Sequence, residues 1–385
     1  MWSRLKRITT SGIYVPEIDG LRFIAITSVV LFHLMLELHL RSGRIIPVEG
    51  GSVWLYTSLG NGERGVRLFF IISGMILALP FARQMLLGER PVSLRKYYLR
   101  RVTRLEPPYL ASILIAVLLI AVYQRGFHGI SAGHLLATIF YQHTLVYGEV
   151  STINTVTWSL EIEIQFYVLA PLIMQLYRIR PTVLRRAIVV ALIVTISAAQ
   201  YYTHHSRQFE LSILYYIQYF LDGLLLADFF TLEFRSVRPH RLWDIAGVAA
   251  LLIGFWIPDY QFGHAVLPLI FGVLFVSVFK GPALRRIFST PWIATTGGMC
   301  YSIYLVHFLL IAVVFKISRH AIVQSTTFFA NFAIQLALVI PLIFLLSALF
   351  YLAIERPCMD PGWPLKLRQR LFGSSAPSKA IDVIS

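Results

Sequence analysis

Apolar segments of membrane-spanning length recur along the whole chain, near residues 22–39, 66–87, 105–123, 157–177, 187–203, 212–230, 243–257, 263–279, 291–315 and 328–354. Crossing a hydrocarbon core about 30 Å thick takes about 20 apolar helical residues. Hydrocarbon also leaves no backbone group to water, so open segments of this kind must be helices. The chain therefore reads as an all-α integral membrane protein, a bundle of about ten transmembrane helices. Its composition agrees, with 14% charged residues where a soluble domain carries about 25%. The seventh segment is short and interrupted by Gly247 and Gly254. Residues 134–148, which carry His134 and His143, are too short to cross and read as a partial or re-entrant helix.

A net charge of +15 in a soluble protein would point to nucleic acid. Here no soluble basic domain exists to carry that function, so nucleic-acid binding is not expected. With the N-terminus inside and ten alternating spans, 24 of the 34 Lys and Arg fall in inside segments and 7 outside. Arg22, Arg67 and Arg83 lie in or at spans. This asymmetry is the positive-inside pattern. It places both termini in the cytoplasm and makes the chain a multi-pass protein of the inner or plasma membrane. Residues 1–357 form the membrane domain, and 358–385 read as a basic, loose cytoplasmic tail. The only cysteines, Cys300 and Cys358, show neither a disulfide framework nor metal-ligand spacing. The N-terminus lacks a secretory signal, because Lys6 and Arg7 precede the polar run TTSG. No repeat of fixed period is evident.

Ionisable residues inside spans are costly and are functional candidates by default. The first apolar stretch, PEIDGLRFIAITSVVLFHLMLELH, carries Arg22 at its mouth and His33 deep within. Eleven positions are about three helical turns, so both project from nearly one face, about 16 Å apart along the axis. Asp19 and Glu37 share that side. A buried imidazole at His33 suits general-base work, and Arg22 suits an anion or a carboxylate partner. The plain alternative is an Asp19–Arg22 ion pair with a packed histidine. In GVRLFFIISG, Ser73 and Gly74 are small residues that let another helix approach, and no base stands beside Ser73 in sequence. The stretch LRKYYLRRVTRLEPPY reads as a cytoplasmic loop, with Pro107 and Pro108 opening the third span. Its Arg101 and Arg104 share a helix face and suit phosphate binding; anchoring at lipid headgroups is the competing reading. In TWSLEIEIQFY, Glu161 and Glu163 point about 160° apart, so at most one faces any site. His307, in YSIYLVH, is a further intramembrane histidine, and Glu355-Arg356-Pro357 closes the last span.

In this order, IDGLRFIAI with the Arg22–His33 spacing, LFFIISG, Arg101-V-T-Arg104 before PPY, TWSLEIEIQFY, YSIYLVH and the closing ERP resemble the acyltransferase-3 family of membrane O-acyltransferases. The resemblance covers the chain from Glu17 to Pro357. It implies transfer of an acyl group, often acetyl from acetyl-CoA, to a hydroxyl of a carbohydrate or glycolipid acceptor. It places catalytic roles on Arg22, His33 and Glu163, and donor binding on Arg101 and Arg104. Asp19, Ser73, Gly74 and His307 support them, with no metal. Glu161 and Glu106 depart from the family pattern, which has small, neutral or apolar residues there. Some relatives carry a fused extracytoplasmic hydrolase-like domain, for which the residues after the tenth span leave no room.

The expected path starts with acyl-CoA at the cytoplasmic arginines and ends with an acceptor hydroxyl at His33. Glu163 or a first-span carboxylate is expected to orient the ring. Tyr141, His143, Tyr147 and Trp158 are candidates to stack on sugar rings. A proton-coupled transporter or permease of a small polar solute uses the same intramembrane groups, and a scaffold in glycan assembly is a third reading.

Overall fold

The computed structural model describes residues 5, 7–8, 14–41, 48, 50–127, 130–202, 206–234, 236–257, 262–323, 326–360, 362–364 and 369. Among them every regular element is a helix. The first long helix is α1 (Pro16–Arg41). Next, α2 (Ser52–Gly60) runs through a 3-10 turn into α3 (Arg64–Leu87). Helix α4 (Leu94–Gln124) is followed by two short helices, α5 (Ala132–Ile139) and α6 (His143–Tyr147). Helices α7 (Trp158–Ile173), α8 (Thr182–Tyr202) and α9 (Ile213–Leu232) come next. They are followed by α10 (Arg241–Trp256), α11 (Phe262–Lys280), α12 (Pro282–Phe288) and α13 (Pro291–Gly298). Helices α14 (Cys300–Ser318) and α15 (Phe328–Phe350) complete the bundle, and a π-helical turn, Tyr351–Glu355, ends it.

Nine helical stretches among the described residues are long and apolar enough to cross a membrane, so the chain is an all-α, multi-pass membrane protein. The expected seventh span is α10, whose 16 residues rise only about 24 Å. It nevertheless pairs antiparallel with α11, because His240 N–H donates to the Lys280 carbonyl at 3.1 Å. Its glycines are contact points: Gly247 lies against Ser277 and Leu284, and Gly254 against Phe271.

Three expected boundaries move. The arginine-rich stretch before Pro107 is helical from Leu94 onward, with Ser93 capping the Lys96 N–H. Pro107 and Pro108 therefore sit inside α4. Proline lacks the N–H that would bond the carbonyl four residues back; the Thr103 carbonyl is taken instead by Trp363 Nε1 at 2.9 Å. That bond, with buried Cys358 and Met359, packs the start of the segment assigned to the loose tail. Residues 361, 365–368 and 370–385 of that tail lie outside the described residues. The segment 291–315 is two helices, broken after Gly298. Gly297 there crosses α1 so closely that a Cβ would fall 1.7 Å from the Asp19 carbonyl oxygen. Residues 132–147 form a short helical hairpin, α5–α6. His134 and His143 meet across it at 2.8 Å between ring nitrogens, and His143 Nδ1 donates to the Glu149 carbonyl at 3.0 Å.

The close crossing of α3 and α9 centres the bundle. A Cβ on Gly74 would run into the Phe220 carbonyl, and one on Gly223 into Ile71 O and Met75 N. Backbone cannot yield as a side chain can. Gly223→Ala should therefore destabilise by about 1–3 kcal/mol and lower the melting temperature in detergent. Gly60→Ala, where nothing lies within 4 Å, should leave it unchanged or raised. The hairpin yields a pH prediction. Burial pushes the His143 imidazole below its usual range, and the neighbouring His134 adds to this. The opened hairpin then binds a proton more readily than the closed one, so it loses stability as pH falls below about 6.5. Amide protection factors across residues 134–147, corrected for the intrinsic pH dependence of exchange, should fall from pH 7.5 to pH 5.5, and His143→Gln should flatten that response.

Candidate active site

The intramembrane polar groups lie in three layers. The first surrounds the start of α1. Asp19 Oδ1 accepts from Arg22 Nη1 at 2.5 Å and from Arg7 Nη1 at 3.3 Å, so the ion pair weighed as the plain alternative is present and is shared with a second guanidinium. Arg104, on α4, lies within electrostatic reach of Arg7 and Glu355. Glu355 ends the π-helical turn and accepts from Ser302 N–H and Oγ at 3.0 and 2.5 Å. It thus caps the first turn of α14, where a carboxylate meets the positive end of the helix dipole. Among the described residues three guanidinium groups here face two carboxylates. Among the described residues the buried Nε atoms of Arg7 and Arg104 have no hydrogen-bond partner.

The second layer is centred on Glu163 of α7. Its Oε1 accepts from Ser73 Oγ and from the Tyr167 hydroxyl, each at 2.5 Å. Gly74 brings α3 against α9, and Ser73 beside it turns to α7; the carboxylate next to Ser73 comes from 90 residues away. Arg101 lies on the same layer. Its guanidinium stacks on Tyr97 at 3.6 Å and over Tyr167 at 5.5 Å, and Nη1 donates to the Tyr97 carbonyl at 2.6 Å. The expected divergence of the two glutamates is present: Glu161 points to the hairpin and accepts from Thr144 N–H and Oγ1 at 2.8 and 2.7 Å. Its charge, a departure from the family pattern, holds the start of α6.

The third layer is His33 and His307. Their rings meet at 3.0 Å between His307 Nε2 and His33 Nδ1. The tautomers follow from the partners. His307 Nδ1 lies 3.0 and 2.8 Å from the carbonyls of Ile303 and Tyr304, and a carbonyl only accepts. The neutral His307 therefore carries its proton on Nδ1 and presents a lone pair at Nε2. His33 must then donate from Nδ1. The lone pair of His33 is left at Nε2, where an incoming hydroxyl proton would go. Phe32 and Phe308 approach the His33 ring edge-on at 5.2 Å between centroids.

Among the described residues the ring of His33 meets His307 and no carboxylate: Glu163 is engaged by Ser73 and Tyr167, and Asp19 by Arg7 and Arg22. Tyr141 and His143 are buried, while Tyr147 stacks on His134 at 4.0 Å and stays exposed. Sequence reasoning missed Arg7, Tyr97, Tyr167 and Ser302. Tyr167 was within sight, four residues after Glu163 on the same face; for Arg7 no local pattern pointed to the site.

The chain spans about half the length of the curated relatives it matches. It is 26% identical over 353 residues to the peptidoglycan O-acetyltransferase OatA of Listeria monocytogenes, covering 80% of this chain and 51% of that protein. It is 25% identical over 336 residues to the O-acetyltransferase OatA of Staphylococcus aureus, covering 78% and 51%. Similarity to the putative peptidoglycan O-acetyltransferase YrhL of Bacillus subtilis is 27% over 230 residues, 52% of this chain and 32% of that one. No solved structure matches. The family model described as an acyltransferase domain, acyltransferase-3, matches residues 15–352, and with the layered site on its helices the chain belongs to that family.

Proposed function

We propose that this protein is a plasma-membrane O-acyltransferase that moves an acetyl group from cytoplasmic acyl-CoA to a hydroxyl of a cell-envelope carbohydrate, with His33 as general base. The observation that carries the reading is the His307–His33 bond, which leaves a proton-accepting Nε2 on His33. The acceptor hydroxyl gives its proton to that nitrogen as its oxygen bonds to the thioester carbonyl carbon. The C–S bond then breaks, and the proton passes from His33 to the leaving thiolate. Throughout, His33 Nδ1–H remains bonded to His307 Nε2, which keeps the ring aimed. For the donor, the excess of one guanidinium in the first layer and the orphan Nε atoms of Arg7 and Arg104 suit phosphate oxygens. The carbohydrate acceptor follows the relatives' printed activity, and the charge asymmetry of the sequence supports cytoplasmic termini.

With acetyl-CoA and envelope glycan fragments supplied to protein in vesicles, His33→Ala should lower transfer by about 10²–10⁴-fold. His307→Ala should lower kcat by at least about tenfold and leave donor KM near its original value. Full transfer by His33→Ala would rule out the general-base role. Arg104→Ala should behave differently, raising donor KM by about tenfold with kcat little changed, the mark of lost ground-state binding. Movement of a polar solute across the same vesicles without any acyl donor would favour the permease reading instead.

A further inference from the structure

A groove of about 660 Å³ lies where α1 begins and α11 ends, within the size range of ligand-binding clefts. Val15 and Pro16 line it just before and at the start of α1, Phe234 just after α9, Phe279 at the end of α11, and Arg285 and Arg286 on α12. Its apolar wall is fixed by packing: Phe230 stacks on Phe234 with centroids 4.2 Å apart and meets Phe279 edge-on at 4.8 Å.

The charges around the groove do not balance. Arg285 Nε donates to Glu17 Oε1 at 2.9 Å. Asp244, on α10, accepts from the Leu284 N–H at 2.9 Å. The Lys280 ammonium lies 3.7 Å from the centroid of the Phe234 ring, although the residue is only 6% exposed. Among the described residues neither Lys280 nor Arg286 pairs with a carboxylate. A buried cation is costly unless an anion meets it, so the groove joins an apolar wall to an excess of positive charge.

Its level in the membrane selects the anion. Helices α1 and α11 are both long and apolar enough to cross, and the groove lies at their ends, where headgroups are. The charge asymmetry of the sequence supports a cytoplasmic setting, the leaflet surface that anionic lipids make negative. Beside Arg286, Ile287 is 50% exposed and offers apolar surface to an acyl chain. We propose that this groove binds the headgroup phosphate of an anionic membrane phospholipid, held by Arg285 and Arg286. Guanidinium groups meet phosphate oxygens in pairs. A soluble phosphate would leave the apolar wall uncovered, and a zwitterionic lipid would bring a cation to a cationic site. The lipid sits on a joint of the fold, because the Glu17–Arg285 bond ties α12 to α1 two residues before Asp19.

The test titrates the full chain, delipidated in neutral detergent, with short-chain phosphatidylglycerol, phosphatidylcholine of the same chains, and inorganic phosphate. Occupancy is read by native mass spectrometry, alongside the melting temperature. Wild-type protein should bind phosphatidylglycerol at least about tenfold more tightly than phosphatidylcholine. Each cation at an anionic lipid contributes about fivefold. Arg286→Gln should therefore weaken phosphatidylglycerol about fivefold and leave the lipid-free melting temperature unchanged. Arg285→Gln combined with Arg286→Gln should weaken it about twentyfold. Arg90→Gln, at an exposed basic position outside the groove, should bind as the wild type does. No preference for phosphatidylglycerol, or an unchanged affinity in Arg286→Gln, overturns the proposal; should the double variant fail to fold, Arg286→Gln decides. An equal loss in Arg90→Gln also overturns it, because the attraction is then the diffuse charge of that face. If inorganic phosphate raises the melting temperature as far as phosphatidylglycerol does, the groove is a free-anion site and the lipid assignment falls.

Discussion

A charge in hydrocarbon must be neutralised or fully hydrogen-bonded where it stands, and the polar interior of this bundle is arranged by that requirement. Asp19 bridges two guanidiniums. Glu355 takes the first turn of α14 through Ser302. Glu161 holds the hairpin through Thr144, and Asp228 is clasped by Arg185 and Arg186 at 2.5 and 2.7 Å. Glu355 and Asp228 thereby join helices about 50 and 40 residues apart in sequence, so groups that cost most to bury also hold neighbouring helices together. Glycine sets other contacts: at Gly297 and at the Gly74–Gly223 crossing no side chain intervenes, and the backbones of neighbouring helices come close together.

What the sequence made legible is what helix periodicity carries. The common face of Arg22 and His33, the opposed directions of Glu161 and Glu163, and the short hairpin segment all depend on 3.6 residues per turn within one element. What it did not make legible crosses between elements. His307 lies 274 residues from His33, and neither stretch names the other. Pro107 and Pro108 look like a helix start until Trp363 is seen to occupy the carbonyl that proline leaves free. The break in the 291–315 segment has the same origin. Two glycines and a methionine are apolar enough to continue a span, and only the approach of α1 explains why the helix stops there.

The pairing of His33 with a second histidine, where a carboxylate was expected, bears on how the reaction would run. A carboxylate beside the base would stabilise the imidazolium formed when it accepts a proton, but it would require a permanent buried charge at the level of the third layer. His307 aims the same Nδ1–H with a neutral lone pair, so the resting site carries no charge there. In the proposed mechanism the charged ring would exist only while the proton is in transit, in a setting that stabilises it poorly. The thiolate released from a thioester donor would be the base that removes it. Proton return and C–S cleavage would thus be driven together by the same desolvation that forces the rest of the bundle's charges into pairs. The permanent charges stay in the layers nearer the guanidinium cluster, where the phosphates of the donor would meet them.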